Sequence, residues 1–214
     1  MGQKVNPIGF RLGIIFGWKS RWFAPKGEYV TYMLEDKKIR EFLEKQLESA
    51  GLVDVEIERS VKSIKVRLHV ARPGVVIGRG GSNLELLKKQ LSHLLHINPN
   101  DPKGQKIVLD DIVEVKDADT SAKLIVKRII EQLNKRFPHR KAINQAMERA
   151  MGSGAKGVKI VLSGRIGGAE IGRREKYSQG TVPTQTLRSN IDYYEEPAKT
   201  KSGYVGIKVW VCKK

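Results

Sequence analysis

Apolar positions along the chain repeat with two periods, and the changes from one to the other mark out the elements. From Asp36 to Ala50, Ile39, Phe42, Leu43, Leu47 and Ala50 fall at helical spacing, and Gly51 supplies a stop, so an amphipathic helix is predicted. Val53, Val55 and Ile57 then alternate with Asp54, Glu56 and Glu58, and Ile64, Val66, Leu68 and Val70 with Lys65, Arg67 and His69. Those are two half-buried strands with a turn between them, a hairpin. His69 reads as a solvated strand residue, since no second histidine lies at metal-ligand spacing. Leu84, Leu87, Leu91, Leu94 and Leu95 give a second long helix one apolar face, with Lys88 and Lys89 off it. Residues 99–104 read as a loop. Ile107, Leu109, Val113 and Val115 make a third strand, with Asp111 as an irregularity in phase.

A second series begins at Asp117-Ala118-Asp119-Thr120, which opens a helix with Ala122, Ile125, Val126, Ile129, Ile130 and Leu133 on one face. Pro138 ends it. A shorter helix carries Ala142, Ile143, Ala146, Met147, Ala150 and Met151, the methionines at core-filling positions. After Gly152-Ser153-Gly154, strands are expected around Val158 to Leu162, Asn190 to Tyr194 and Tyr204 to Cys212. Trp210 and Tyr204 fall in phase with Lys208, opposite Val205, Ile207, Val209 and Val211, a placement that allows exposure. The fold expected is α+β in two domains. Residues 35–116 run helix, strand, strand, short helix, helix, strand, and residues 117–214 place two helices on a small, mostly antiparallel sheet. Residues 1–34 stand apart as a basic arm.

Between the hairpin and the second helix lies Arg72-Pro73-Gly74-Val75-Val76-Ile77-Gly78-Arg79-Gly80-Gly81-Ser82, a basic glycine loop. A dinucleotide fingerprint needs glycine three past Gly80, where Asn83 stands, and a Walker loop needs Gly-Lys-Ser/Thr, which the chain lacks. What fits is the Gly-x-x-Gly of a K-homology (KH) domain, here Gly78, Arg79, Gly80 and Gly81, which lets backbone lie against a sugar-phosphate chain. Ser82 and Glu85 have capping-box spacing, so a helix should begin at Ser82 with free amides facing the loop. With two strands ahead of the loop, the order resembles the type II KH arrangement.

Charge sharpens this. Forty Lys and Arg against 23 Asp and Glu give a net charge of +17, an excess that points to an anionic polymer rather than a small substrate. Lys4, Lys19 and Arg21, with Arg11, are interleaved with Phe10, Trp18, Trp22 and Phe23, a mixture suited to RNA; the tryptophans and Phe23 equally suit packing on the next domain. Lys127, Arg128, Lys135, Arg136, Arg140 and Lys141 face only Glu131 at a helix-turn-helix corner, whereas solvated helix faces usually mix signs. Arg165, Arg173, Arg174 and Lys176 follow in a second glycine-rich stretch, and Arg72, Lys88 and Lys89 flank the first; all are candidate RNA-binding positions. The single cysteine, Cys212, excludes a disulfide framework and reads as space-filling. No apolar run suits a membrane span or a secretion signal, and Asn6 stands where a myristoylation signal needs Ser or Thr, so a cytoplasmic location is expected. Nothing flanks Glu170 or Glu175 as nucleophile or metal ligand, so neither enzyme activity nor a cofactor is expected.

Met1-Gly2-Gln3-Lys4-Val5-Asn6-Pro7 with Arg11-Leu12-Gly13, the stretch Ala71 to Gly78, Gly154-Ala155-Lys156-Gly157 and Ser163 to Ile171 together resemble the universal S-three family of bacterial small-subunit ribosomal proteins. The resemblance spans the whole chain. It implies a ribosomal protein of the small-subunit head, bound to 16S-type ribosomal RNA, beside proteins S-ten and S-fourteen, with S-two, S-four and S-five as further neighbours. It also implies contact with messenger RNA where the message enters, and help in unwinding it, through basic residues that match Arg140 and Lys141. A third such position falls on Asn144, with Lys135 and Arg136 nearby to compensate. The alternative is a free KH protein acting as an RNA chaperone or transcription factor.

Overall fold

The computed structural model describes residues 4–95, 97, 106–109 and 111–213; the loop expected over 99–104 lies outside them. In chain order the elements are α1 (Pro7–Phe10), β1 (Ser20–Arg21), α2 (Tyr29–Gln46), β2 (Leu52–Arg59), β3 (Ser63–Val70), α3 (Pro73–Ile77), α4 (Ser82–Leu94), β4 (Lys106–Val108) and β5 (Ile112–Glu114). Then come α5 (Ala122–Asn134), α6 (His139–Gly152), β6 (Gly157–Gly164), β7 (Arg173–Gly180), β8 (Ile191–Thr200) and β9 (Gly203–Cys212). They make two compact units. One is Trp18–Lys116; the other joins the residues up to Gly17 to Asp117–Lys214. The expected arm over 1–34 is therefore split, its first half belonging with the C-terminal unit and its second with the KH unit.

In the unit Trp18–Lys116, β2 and β3 form the expected antiparallel hairpin, with Ile57 opposite Val66 and Val55 opposite Leu68. The third strand is broken in two: β4 and β5 each run parallel to β3, and between them the Asp111 carbonyl accepts from the Leu68 amide at 2.9 Å. Parallel pairing follows because the chain returns through α3 and α4 rather than through a tight turn. Ile39 and Leu43 of α2, Leu47 just past its end, and Leu87 and Leu91 of α4 bury their side chains with Ile57, Ile64, Val66 and Leu68. Each such side chain contributes about 1.5–3 kcal/mol of burial.

The second half of the expected arm is held to this unit by a buried carboxylate. Asp36 accepts from Ser20 Oγ at 3.0 Å, Trp22 Nε1 at 2.8 Å and Arg59 at 2.6 Å, and Arg59 also meets Glu35 at 2.7 Å. Removing one partner of such a pair strands the other without water, a cost of about 3–5 kcal/mol. Trp22 packs on Tyr29 and Tyr32, with ring centroids 5.2 and 5.7 Å away, so of the two readings open for it, packing holds. Trp18 and Phe23 remain exposed. Helix α2 starts at Tyr29, well before the expected Asp36; Tyr29, Val30, Met33 and Leu34 on its first turns are exposed and add nothing to the buried stripe of Ile39 and Leu43.

The C-terminal unit is a four-stranded antiparallel sheet in the order β7-β6-β9-β8. Against one face, α5 and α6 bury Ile125, Val126, Ile129, Ile143 and Ala146 on Val158, Ile160, Leu162, Ile207 and Val209. The opposite face has its own smaller cluster of Val161, Ile191, Tyr193, Trp210 and Cys212, joined by Ile8 from α1. Cys212 is thus buried filler, as expected. Trp210 is 7% exposed and Tyr204 65%, so the exposure allowed for both is realised only at Tyr204; Trp210 packs on Tyr193 with ring centroids 5.0 Å apart.

The arm is fastened there by Arg11. Its side chain is fully buried, and its guanidinium donates to the carbonyls of Ser189 (2.7 Å), Pro7 (3.1 Å), Thr186 (2.9 Å), Thr184 (3.0 Å) and Pro183 (3.4 Å). Five fixed donors in a plane suit that ring of acceptors, which a lysine would not fill.

Candidate nucleic-acid interface

The glycine loop is built as expected, with one correction. Helix α3 ends at Gly78 with φ 70, Arg79–Gly81 form a single tight turn, and Gly80 and Gly81 have φ 61 and 81. Left-handed backbone costs an L residue roughly 1–2 kcal/mol and glycine nothing. Gly78 is constrained further: a Cβ there would stand 2.8 Å from Asn83 Cβ, whereas one at Gly80 would meet open space. The Asn83 side-chain amide donates to the Val75 carbonyl at 2.9 Å and so ties α4 back to α3. Helix α4 does begin at Ser82, but the capping box does not form. Gly81 holds the cap position and Ser82 is already helical, so its hydroxyl is misplaced for capping. Arg79 is exposed at the tip.

The second basic locus is the corner between α5 and α6. Helix α5 closes in a Schellman motif: Phe137 N–H donates to the Gln132 carbonyl and Arg136 N–H to the Leu133 carbonyl, each at 2.9 Å. That motif needs left-handed backbone one residue past the cap, where glycine is usual. Here Arg136 occupies it with φ 58, and among the described residues it is the one non-glycine with positive φ. Helix α6 then starts after Pro138 with no side-chain cap and no acid in its first turn. Instead the first turn holds His139 and two cations, Arg140 and Lys141, the cations set against the positive end of the helix dipole at about 0.3–1 kcal/mol each. Lys135, Arg136, Arg140 and Lys141 are all exposed, as is Asn144 on the next turn.

A carboxylate braces this corner. Glu175 on β7 accepts from Tyr177 Oη at 2.6 Å and Arg173 Nε at 2.6 Å, and meets His139 Nε2 at 3.1 Å. The hydrogen bonds from Tyr177 and Arg173, with the nearby charges of His139 and Arg173, hold its carboxyl down to about 2. Burial and the same bond push the Tyr177 phenol up, while Arg140 reaches that phenol from the helix. Strand β7 was not expected. Arg173 to Gly180 contain no aliphatic residue, so hydrophobic periodicity is silent; the sole hint is Glu175 and Tyr177 falling at alternate positions.

The remaining predicted residues form no single site, though Lys4 and Arg174 line one cleft of the C-terminal unit. Arg11 is corrected from RNA-binding to structural, because its guanidinium is buried and committed to carbonyls. Lys19 is paired with Asp54 at 2.8 Å and Arg21 with Glu58 at 3.6 Å, both pairs partly exposed. His69 lies beside Glu56 at 3.3 Å. Arg72 and Lys89 are exposed near the glycine loop and Lys88 is half-buried. Arg165 is exposed and donates to the Ala169 carbonyl at 2.8 Å; Arg174, Lys176 and Lys4 lie exposed within the C-terminal unit. Among the described residues no group of His, Cys, Asp and Glu is placed to hold a metal ion, and no helix is long and apolar enough to cross a membrane.

A type II KH unit with an exposed glycine loop, together with a helix-and-sheet unit bearing a cationic corner, defines a protein of the KH class. Residues 38–120 match the KH domain family and residues 129–211 the family described as ribosomal protein S3, C-terminal domain. Over 211 residues the chain is 47% identical to small ribosomal subunit protein uS3 of Clostridium perfringens strain 13, covering 99% of this chain and 91% of that one. It is 50% identical over 213 residues to uS3 of Clostridioides difficile strain 630, at 99% and 75% coverage, and 49% identical over 213 residues to uS3 of Caldicellulosiruptor bescii, at 100% and 92%. The chain belongs to the uS3 family of small ribosomal subunit proteins.

Proposed function

We propose that this chain is a non-catalytic structural constituent of the small ribosomal subunit in the cytoplasm, bound to 16S-type ribosomal RNA in the subunit head. Its α5–α6 corner lies on the path of incoming messenger RNA and holds and helps unwind the message. The observation that carries the reading is Arg136. A strained backbone and an uncapped helix start, both loaded with cations, make stability sense only if an anion arrives to offset them. Phosphate contacts of this kind position a strand without reading its sequence, as a protein that meets every message requires. The KH loop Gly78-Arg79-Gly80-Gly81, with Arg72, Lys88 and Lys89, is proposed as a ribosomal RNA clamp. Lys4, Lys19, Arg21, Arg165, Arg173, Arg174 and Lys176 add backbone contacts. Proteins S-ten and S-fourteen are proposed as neighbours, with S-two, S-four and S-five further off.

Small subunits reconstituted with Arg140→Ala and Lys141→Ala together test this. They should translate hairpin-containing messages several-fold more slowly and unstructured ones at the normal rate. Equal rates on both would refute it.

A further inference from the structure

The face of the C-terminal sheet turned away from α5 and α6 carries a second, separate concentration of charge. Lys159 of β6 points to this side, beside Trp210 of β9, with its ammonium 5.1 Å from the Trp210 ring centroid. Arg174 and Lys176 share the face, since Lys176 pairs with Val161, two residues along the strand from Lys159. The arm brings Lys4 over the same spot, and the result is a cleft of about 550 Å³ lined by Lys4, Lys159, Arg174 and Lys208, with Phe10 on its wall. Among its described lining residues there is one carboxylate, Glu195, and that is already engaged by Lys208 at 2.8 Å and by the Tyr193 hydroxyl. Burial, then Lys4, then Lys176 and Arg174 depress the Lys159 ammonium to about 8. Three like charges are thus gathered around a half-buried lysine, and the one carboxylate among the described lining residues is turned to Lys208 and Tyr193 instead, an arrangement that costs stability unless a ligand supplies the counter-charge.

We propose that this cleft seats one phosphate of an RNA strand, held by Lys159, Lys4 and Arg174, with the neighbouring base lying on the exposed ring of Phe10. The proposal rests on the reading of the chain as an RNA-binding ribosomal protein, and adds to it a site remote in role from the α5–α6 corner. Lys159 was not legible as a ligand in the sequence, where it alternates with Val158 and Ile160 as one polar residue of a strand. The arm supplies one wall of the site, through Lys4 and Phe10.

The test uses the full chain with its lysines labelled as 13C-dimethyl derivatives, titrated alone, with inorganic phosphate, and with a single-stranded oligoribonucleotide. The Lys159 signal should titrate near 8 in the free protein, and rise by about one unit or more with the oligonucleotide. Lys159→Met, which keeps a chain over Trp210, should weaken oligonucleotide binding about three- to tenfold and lower the salt dependence by about one ion, with no loss of thermal stability. Arg174→Ala, at an exposed edge position, should do the same. An unmoved Lys159 signal with unchanged binding by both variants would overturn the site, and a response to inorganic phosphate as large as that to the oligonucleotide would overturn the strand assignment. The protein with Arg140→Ala and Lys141→Ala should respond at Lys159 as the wild type does, so failure of the corner reading and failure of this site are separable.

Discussion

Replacing Arg136 with glycine should make this protein more stable and less useful. The arginine sits at φ 58, inside a Schellman motif that fixes the backbone on both sides. Left-handed geometry costs a side-chain-bearing residue roughly 1–2 kcal/mol, and glycine escapes that but surrenders about 0.5–1 kcal/mol through its freer unfolded chain. The difference leaves Arg136→Gly about 0.5–1 kcal/mol more stable, an increase of about 2–5 °C in the melting of a unit this size. Arg136→Ala is the control: it keeps the strain and loses the same charge, so its melting temperature should stay near wild type. Hydrogen exchange at core amides of β6 and β9 reads the C-terminal unit alone, and both variants should lower the salt dependence of single-stranded RNA binding by about one ion. If Arg136→Gly melts at or below the wild-type temperature, the backbone is not strained there. If RNA binding keeps its full salt dependence in both variants, the charge is not what the strain preserves.

Three further outcomes follow from the packing. Arg11→Met should cost about 3–5 kcal/mol, because the five carbonyls it serves lose a charged donor; hydrogen exchange should quicken over 4–17 and 183–190 and not in β2 or β3, and uniform exchange would refute the fastening. Gly78→Ala should destabilise the KH unit by about 2–4 kcal/mol, since left-handed strain adds to the contact with Asn83, while Gly80→Ala should cost about 1 kcal/mol; equal costs in denaturant unfolding would show that the loop relaxes freely. Glu175 ionises near 2 when folded against about 4.5 otherwise, so its contribution is complete above pH 4.5 and fades as pH falls through 2. With solvent reaching half-exposed Arg173, Glu175→Gln should lose about 1–2 kcal/mol at pH 7 and converge on wild type by about pH 2; a gap unchanged in acid would refute it.

What could be read from the residues was whatever packing imposes periodically. Val55 and Ile57 against Val66 and Leu68 declare a hairpin because one face must be dry and the other wet, and the leucines of α4 declare a helix for the same reason. The glycines of the loop were legible because few other residues accept their backbone. Features that depend on distant chain were not. Arg11 looks like a surface cation among surface cations, and only the return of residues 183–189 makes it a buried staple. Strand β7 is an edge with no aliphatic residue to mark its alternation, so Glu175 reads in the sequence as an isolated acid although it braces the corner. Ser82 matched the capping box in spacing, yet Gly81 had already turned the chain into the helix. Arg136 reads in the sequence as one charge among six, since φ is invisible there.

The most direct measurement of the central claim is a cross-link map of intact small subunits programmed with a message bearing photoreactive nucleotides along its incoming stretch. Message cross-links are expected on peptides containing Lys135 to Asn144, lost with Arg140→Ala and Lys141→Ala, while ribosomal RNA cross-links fall on residues 72–89. Message cross-links that miss the α5–α6 corner altogether, in subunits that hold this chain in full amount, would contradict it.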